Sequence, residues 1–362
     1  MKLNPHITQG SNTVQLLMLD VLIALLPVLF VAWLAYGQLA IVIFAVASAT
    51  AILTELLFSG FILHRWRSIF DGSALVTALL LSCTLSPLTP WYVVAFGAFS
   101  AIVFGKIVWG GLGKNRFNPA LVGREFMSVF FSSIMLSPHI WTTGGLVHTS
   151  TDVLFPQAAE RFSESYMQGL VYKTTGALGE YSLLILWLGG LYLLLRKRIS
   201  WHIPLALLTV FIGLFWLVPD GDDLSFSMGG LLLGTLFMAT DMPSSPTNAQ
   251  GKLYYGAMIG LLAFIFILGN IRFEYMSYSI LLLNGFSDRI SATFRPRVWG
   301  HTIDWKQQVE SIVMLTLSIL AVGLAILSLY YYQLTDYLVY LFILYIIFKF
   351  NFSFHKKVNN PV

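Results

Sequence analysis

Apolar residues come in long runs separated by short polar stretches, and the run lengths predict the architecture. Runs at about 14–36, 38–63, 72–86, 90–109, 119–136, 179–195, 203–219, 224–240, 253–269 and 275–292 each predict a helical membrane segment. Two more follow at about 309–331 and 335–350. A full crossing needs roughly 20 predominantly apolar residues. The third run falls short, because it breaks at Ser86-Pro87-Leu88-Thr89-Pro90. In hydrocarbon a broken helix is tolerable only where its freed backbone groups face protein or a water-filled cavity, so this stretch should line a site. A similar break, Ala239-Thr240-Asp241-Met242-Pro243, closes the eighth run, and Asn118 before the fifth segment echoes Asn284 in the tenth. Interruptions at matching places in two halves mark an inverted repeat with its site between the halves. Each half holds five segments, an odd number, so the two insert with opposite orientation.

Composition sharpens this picture. The 362 residues are 57% hydrophobic and 10% charged, with mean hydropathy +0.76, whereas soluble domains carry about 25% charged residues. The net charge of +4 fits basic membrane-protein loops and gives no reason to expect nucleic acid. Arg65, Arg67, Lys106, Lys114, Arg116, Arg196, Lys197, Arg198, Lys252, Arg289, Arg295, Arg297, Lys306, Lys356 and Lys357 fall on one side if the segments alternate; Asp220, Asp222 and Asp223 fall on the other. By the positive-inside rule the N-terminus is cytoplasmic and the long loop after Ser137 extracytoplasmic; Arg272 is the exception. The start, MKLNPHITQGSNT, lacks the marks of a cleaved signal peptide. A single cysteine, Cys83, excludes an internal disulfide, a thiolate iron–sulfur cluster and a Cys-rich metal site, and no metal is expected. Gly105, Gly110, Gly111 and Gly113 permit close backbone approach but lack the strand–turn–helix context of a nucleotide fingerprint.

Candidate chemistry lies at the breaks and at charges within segments. Lys114, Asn115, Asn118, Thr240 and Asp241 flank the re-entrant ends, either capping helices or binding a polar ring edge. Asp20, Glu55, Arg124 and Glu125 lie inside segments, where ionisable groups are expensive. They are candidates for an ion path or for structural ion pairs. Trp141, Trp201, Trp216 and Tyr330 to Tyr332 read as interfacial anchors.

The blocks DGSALVTALLL, GKIVWGGLGKNRFNPALVGR, GGLLLGTLFMATD, GKLYYGAMIG and RPRVWG, in order between about Pro5 and His301, resemble the RnfD family of the Rnf electron transport complex. That family is the sister of NqrB from the sodium-pumping NADH:quinone reductase. The resemblance implies an all-α polytopic fold: a ten-helix core of two inverted repeats (1–136 and 179–301), an extracytoplasmic loop (137–178), and beyond them a C-terminal hairpin (302–362). It implies FMN joined by a phosphoester to a loop threonine. Thr151 of His148-Thr149-Ser150-Thr151 is the best counterpart and Thr149 the reserve, although His148, Ser150 and Asp152 depart from the family motif. Ser86, Pro87, Thr89, Thr175, Gly176 and Glu180 would surround that flavin. A second, non-covalent flavin (riboflavin) is implied at Lys114, Asn115, Asn118, Thr240 and Asp241. The expected function is a flavin-carrying component of an ion-translocating ferredoxin:NAD⁺ oxidoreductase in a bacterial inner membrane, coupled to Na⁺ or H⁺. No residue serves as a nucleophile, and NAD and iron–sulfur steps are left to the other Rnf complex subunits (A, B, C, E and G). A flavin transferase would load Thr151, and lipid surrounds the whole. The alternatives are NqrB, whose N-terminal extension is usually longer, and a stand-alone inverted-repeat channel or carrier.

Overall fold

The computed structural model describes residues 14–63, 66–141, 176–218, 226–271, 273–295 and 305–359, and these are helical throughout apart from short connections. Twelve helices carry the predicted runs: α1 Val14–Tyr36, α2 Gln38–Thr54, α3 Ser73–Cys83, α4 Trp91–Gly105, α5 Pro119–Phe130, α6 Leu183–Leu195, α7 His202–Leu217, α8 Met228–Leu233, α9 Ala249–Leu268, α10 Tyr275–Thr293, α11 Trp305–Tyr331 and α12 Asp336–Asn359. A π-helical turn, Glu55–Ser59, extends α2, and another, Gly234–Met238, extends α8. Such turns open the backbone ladder and recur at functional sites.

Among the described residues five helices are long and apolar enough to cross a membrane: Val14–Tyr36, Gln38–Ser59, Trp91–Trp109, Ala249–Leu268 and Trp305–Tyr331. The chain is a multi-pass membrane protein. By contrast α3 has 11 residues, about 16 Å at 1.5 Å per residue, so the predicted shortfall of the third segment is real. Outward-facing Leu26, Phe30, Trp187, Leu188 and Leu324 form an apolar coat, as a surface toward lipid requires.

The two halves repeat one packing scheme. In the first, α4 packs along α2 and α5; in the second, α9 packs along α7 and α10, and across the halves α1 meets α6 while α5 meets α10. Segment n thus corresponds to segment n+5. Glycines let backbones close up: a Cβ on Gly229 would lie 2.6 Å from Glu180 Cβ, and one on Gly179 equally close to Cys83 Cβ. The C-terminal hairpin lies against α5, α9 and α10, with Phe342 packed edge-on to Phe117 and Phe126.

Candidate functional site

Both interrupted helices are tied to α5. Asn118 is its N-cap: the side-chain oxygen accepts from the Ala120 N–H at 3.0 Å and the Leu121 N–H at 3.4 Å, with Pro119 in the first turn. The Asn118 amide group also donates to the Met238 carbonyl at 3.1 Å, satisfying a carbonyl freed where α8 ends. Six positions on, Arg124 donates to the Thr84 carbonyl at the broken end of α3. Those positions are about 9 Å apart along the axis. Freed carbonyls inside a membrane protein need such partners, and one short helix supplies both.

The break after α8 carries a cavity of about 310 Å³ lined by Asn115, Asn118, Thr240 and Asp241, with Leu17, Val21 and Leu236 among its apolar walls. Asn115 donates to Asp241 Oδ2 at 3.1 Å, as does Ser244 at 2.8 Å. Desolvation raises the Asp241 carboxyl above its ordinary 3.8, against the opposing bonds from Ser244 and Asn115. Thr240 donates to Leu236 O at 2.7 Å, leaving its lone pairs for a ligand. Three glycines with positive φ, Gly110, Gly111 and Gly113, shape the approaching loop. Lys114 lines an adjoining polar cavity of about 270 Å³ with Asn284, Asp288 and Lys349. So the structure brings Asn115, Asn118, Thr240 and Asp241 together and sets Lys114 next door.

Asn284 belongs to this cluster, and the echo read in the sequence has a different basis. The positional counterpart of Asn118, which precedes α5, is Glu274, which precedes α10. Asn284 instead meets Asn118 directly. The Tyr255 hydroxyl lies 2.5 Å from its carboxamide oxygen; with the carboxamide turned over, the oxygen accepts from the Asn118 N–H at 3.0 Å and the nitrogen donates to Ser244 O at 3.2 Å. An asparagine directly after the apolar run Ile280-Leu281-Leu282-Leu283 was the available signal.

At the break after α3, Arg124 bonds Glu274 twice, at 2.9 and 3.2 Å, donates to Phe273 O at 3.2 Å and lies 5.7 Å over the Trp141 ring. Ser86 donates to Ile140 O, Ser227 donates to Glu180, and Leu178 N–H donates to Leu85 O at 2.8 Å. Gly176 (φ +131°) brings its backbone beside the Glu180 carboxylate. Ser86, Gly176 and Glu180 therefore gather around the end of α3, beside Pro87. Thr89 is buried there and its hydroxyl has no partner. Thr149, Thr151 and Thr175 lie outside the described residues.

The other intramembrane charges are neutralised. Asp20 accepts from Arg198 at 2.5 Å, from Tyr192 at 3.0 Å and from Arg196 at 3.3 Å, joining α1 to the end of α6. Glu55 pairs with Lys106 at 2.7 Å, and Lys106 also reaches Ser73. Glu125 differs: it is 7% exposed and its Oε1 has no hydrogen-bond partner.

A polytopic fold whose two halves repeat one packing scheme, each ending a helix inside the protein at a polar cluster, is an arrangement shared with membrane proteins that hold small ligands or ions between repeats. More narrowly, the chain belongs to the NQR2, RnfD, RnfE family, whose model matches residues 1–300. It is 35% identical over 303 residues to the D component of the Na⁺-translocating ferredoxin:NAD⁺ oxidoreductase complex of Acetobacterium woodii, covering 83% of this chain and 94% of that protein. It is 33% identical over 315 residues to the D component of the proton-translocating ferredoxin:NAD⁺ oxidoreductase complex of Clostridium ljungdahlii (82% and 95%). Against the D component of the ion-translocating oxidoreductase complex of Stutzerimonas stutzeri it is 29% identical over 349 residues (83% and 98%). The hairpin α11–α12 lies beyond the family match.

Proposed function

We propose that this chain is the D component of an ion-translocating ferredoxin:NAD⁺ oxidoreductase, a flavin-bearing membrane protein that relays electrons while the complex moves Na⁺ or H⁺. The observation that carries this is the polar-edged cavity at the break after α8, within a chain that spans nearly all of the D components it resembles. A volume of about 310 Å³ sits at the low end of ligand pockets, roughly 300–1,000 Å³. An isoalloxazine edge alternates acceptors with one N–H donor. Asn115, Asn118 and Asp241 offer donors and acceptors for such an edge, and Leu17, Val21 and Leu236 offer apolar faces for its rings.

A bound flavin would supply the one- and two-electron chemistry; the protein sets its position and polarity. Asp241 and Asn115 orient the ring edge, Asn118 keeps the broken end of α8 closed, and the apolar walls exclude water. At the other break the unpartnered Thr89 hydroxyl suits a flavin tethered at Thr151 by a phosphoester. The N-terminus is assigned to the cytoplasm of a bacterial inner membrane, Thr151 to the opposite face within reach of a flavin transferase, and NAD and iron–sulfur steps to the other components of the complex.

The test is a denaturing gel of the purified chain, from a host with a flavin transferase, under ultraviolet light. Fluorescence that stays with the band and disappears in Thr151→Ala is the expected result; a dark wild-type band overturns covalent attachment. Flavin released by denaturation, and reduced in Asp241→Ala, identifies the second site.

A further inference from the structure

Positive charge collects where the C-terminal hairpin meets the rest of the fold. Lys114, Arg116 and Lys349 line the polar cavity of about 270 Å³ that adjoins the break after α8. Asp288 is the one carboxylate among its described lining residues; it is 84% exposed and lies 3.6 Å from Arg116. Three cations against one carboxylate leave two positive charges over. None of the ion pairs among the described residues includes Lys114 or Lys349. Packing places both lysines. The Lys349 ammonium stands 3.8 Å from the centroid of the Trp109 ring, held by the attraction of a cation for an aromatic face. Lys114 folds back over the next residue, Gly110 (φ +107°), where a Cβ would lie 3.0 Å from Lys114 Cδ. Consecutive residues thus bring together one ammonium from α12 and one from the loop before α5.

The depth of the cluster in the membrane narrows its ligand. Trp109 is the last residue of the span Trp91–Trp109, the level at which tryptophan marks the edge of the hydrocarbon. On α12, Tyr345, Ile347 and Phe348 beside Lys349 face outward, as part of the apolar coat. The cations therefore lie at headgroup level, next to lipid-facing side chains. Like charges gathered around one cavity repel until an anion sits among them. Phosphate suits this set: two ammoniums act as point charges, a guanidinium adds a planar fork, and each donates charge-assisted bonds to its oxygens. The Ser287 hydroxyl adds a neutral donor. Basic pockets between membrane helices hold anionic headgroups in this way.

We propose that this cavity binds the phosphate of an anionic phospholipid, which fills the seam beside the hairpin and fastens α12 to the loop before α5. Lys349 lies beyond the family match at residues 1–300, so the site is completed by the added hairpin. It needs only a chain placed in a membrane and is independent of any flavin. The same phosphate chemistry is present in inorganic phosphate and in a flavin mononucleotide, and the test separates these sources by mass.

The experiment is native mass spectrometry of the purified, delipidated full-length chain in neutral detergent. The chain is titrated separately with phosphatidylglycerol, phosphatidylcholine, inorganic phosphate and flavin mononucleotide. Phosphatidylglycerol should bind more tightly than phosphatidylcholine. Its affinity should fall about fivefold in Lys349→Gln and about fivefold in Lys114→Gln, the share of one basic residue at an anionic surface. Lys197→Gln, which removes a cation at the end of α6, should leave it unchanged. Asp288→Asn removes the competing carboxylate and should tighten it, which keeps the test decisive if a lysine variant is unstable. Equal binding of the two lipids, undiminished phosphatidylglycerol binding in Lys114→Gln/Lys349→Gln, or no tightening in Asp288→Asn overturns the proposal. So does binding of inorganic phosphate or flavin mononucleotide at these lysines without the lipid, which assigns the site to a soluble phosphate instead.

Discussion

The sharpest stability test is removal of Arg124. Its guanidinium is buried, bonds both oxygens of Glu274, and satisfies the carbonyls of Thr84 and Phe273. Breaking a buried pair by removing one partner costs about 3–5 kcal/mol, because the remaining charge is left uncompensated. At about 1.4 kcal/mol per tenfold, Arg124→Met should raise the population of opened molecules by roughly two to three and a half decades. Cys83 provides the assay: it is the only cysteine, fully buried, and directly precedes Thr84 at the broken end. Maleimide labelling of Cys83 in the folded chain then reports opening at this spot, and the Arg124→Met rate should rise by that factor. The double variant Arg124→Met/Glu274→Met should recover most of the loss, since an apolar replacement of a buried pair is often neutral or better. It should not recover all, because an unsatisfied buried carbonyl such as that of Thr84 costs about 1–3 kcal/mol. Labelling of Arg124→Met at the wild-type rate, or a double variant as labile as the single, would refute the reasoning.

Further outcomes follow from other contacts. Asp20→Ala should destabilise the chain by about 1–3 kcal/mol, since it strands Arg198 while the half-exposed Arg196 loses little; thermal denaturation in detergent measures it. Gly229→Ala places a methyl 2.6–2.8 Å from Glu180 atoms and should cost about 1–3 kcal/mol by overpacking, read as a lower melting temperature. Asp241→Ala should weaken retention of non-covalent flavin about ten- to a hundredfold, for a lost charged hydrogen bond of about 1.5–3 kcal/mol, by equilibrium dialysis. The Asp241 carboxyl is raised above 3.8, so the folded state favours its neutral form. Wild type should therefore gain stability relative to Asp241→Asn as pH falls through the raised value toward 3.8, and lose it as pH rises. An opposite slope would contradict the burial seen here.

The helices are legible because run length alone separates a crossing from a shortfall, as α1 and α3 illustrate. The breaks at Ser86-Pro87 and Met242-Pro243 can be read as site-lining because lipid forbids unpaired backbone. Pairings are not legible: Glu55 meets Lys106 across 51 positions, and Arg124 meets Glu274 across 150. Nothing local distinguishes such a paired charge from a free one. Glu125 gives no different signal in the sequence from Glu55, yet Glu55 is paired with Lys106 while the Glu125 Oε1 has no hydrogen-bond partner. Asn284 reads as an echo of Asn118 rather than as a member of the same cluster, since its role depends on α5 and α10 meeting across the halves.

Fastening two interrupted helices to the same twelve-residue rod has a mechanical consequence. A carrier that rocks one bundle against the other must loosen one gate while the opposite gate stays shut. Here, any tilt of α5 would tug on Met238 and Thr84 at once, so neither end moves independently. That linkage suits a stationary scaffold that fixes the distance between the two breaks, and it works against a machine that alternates its openings.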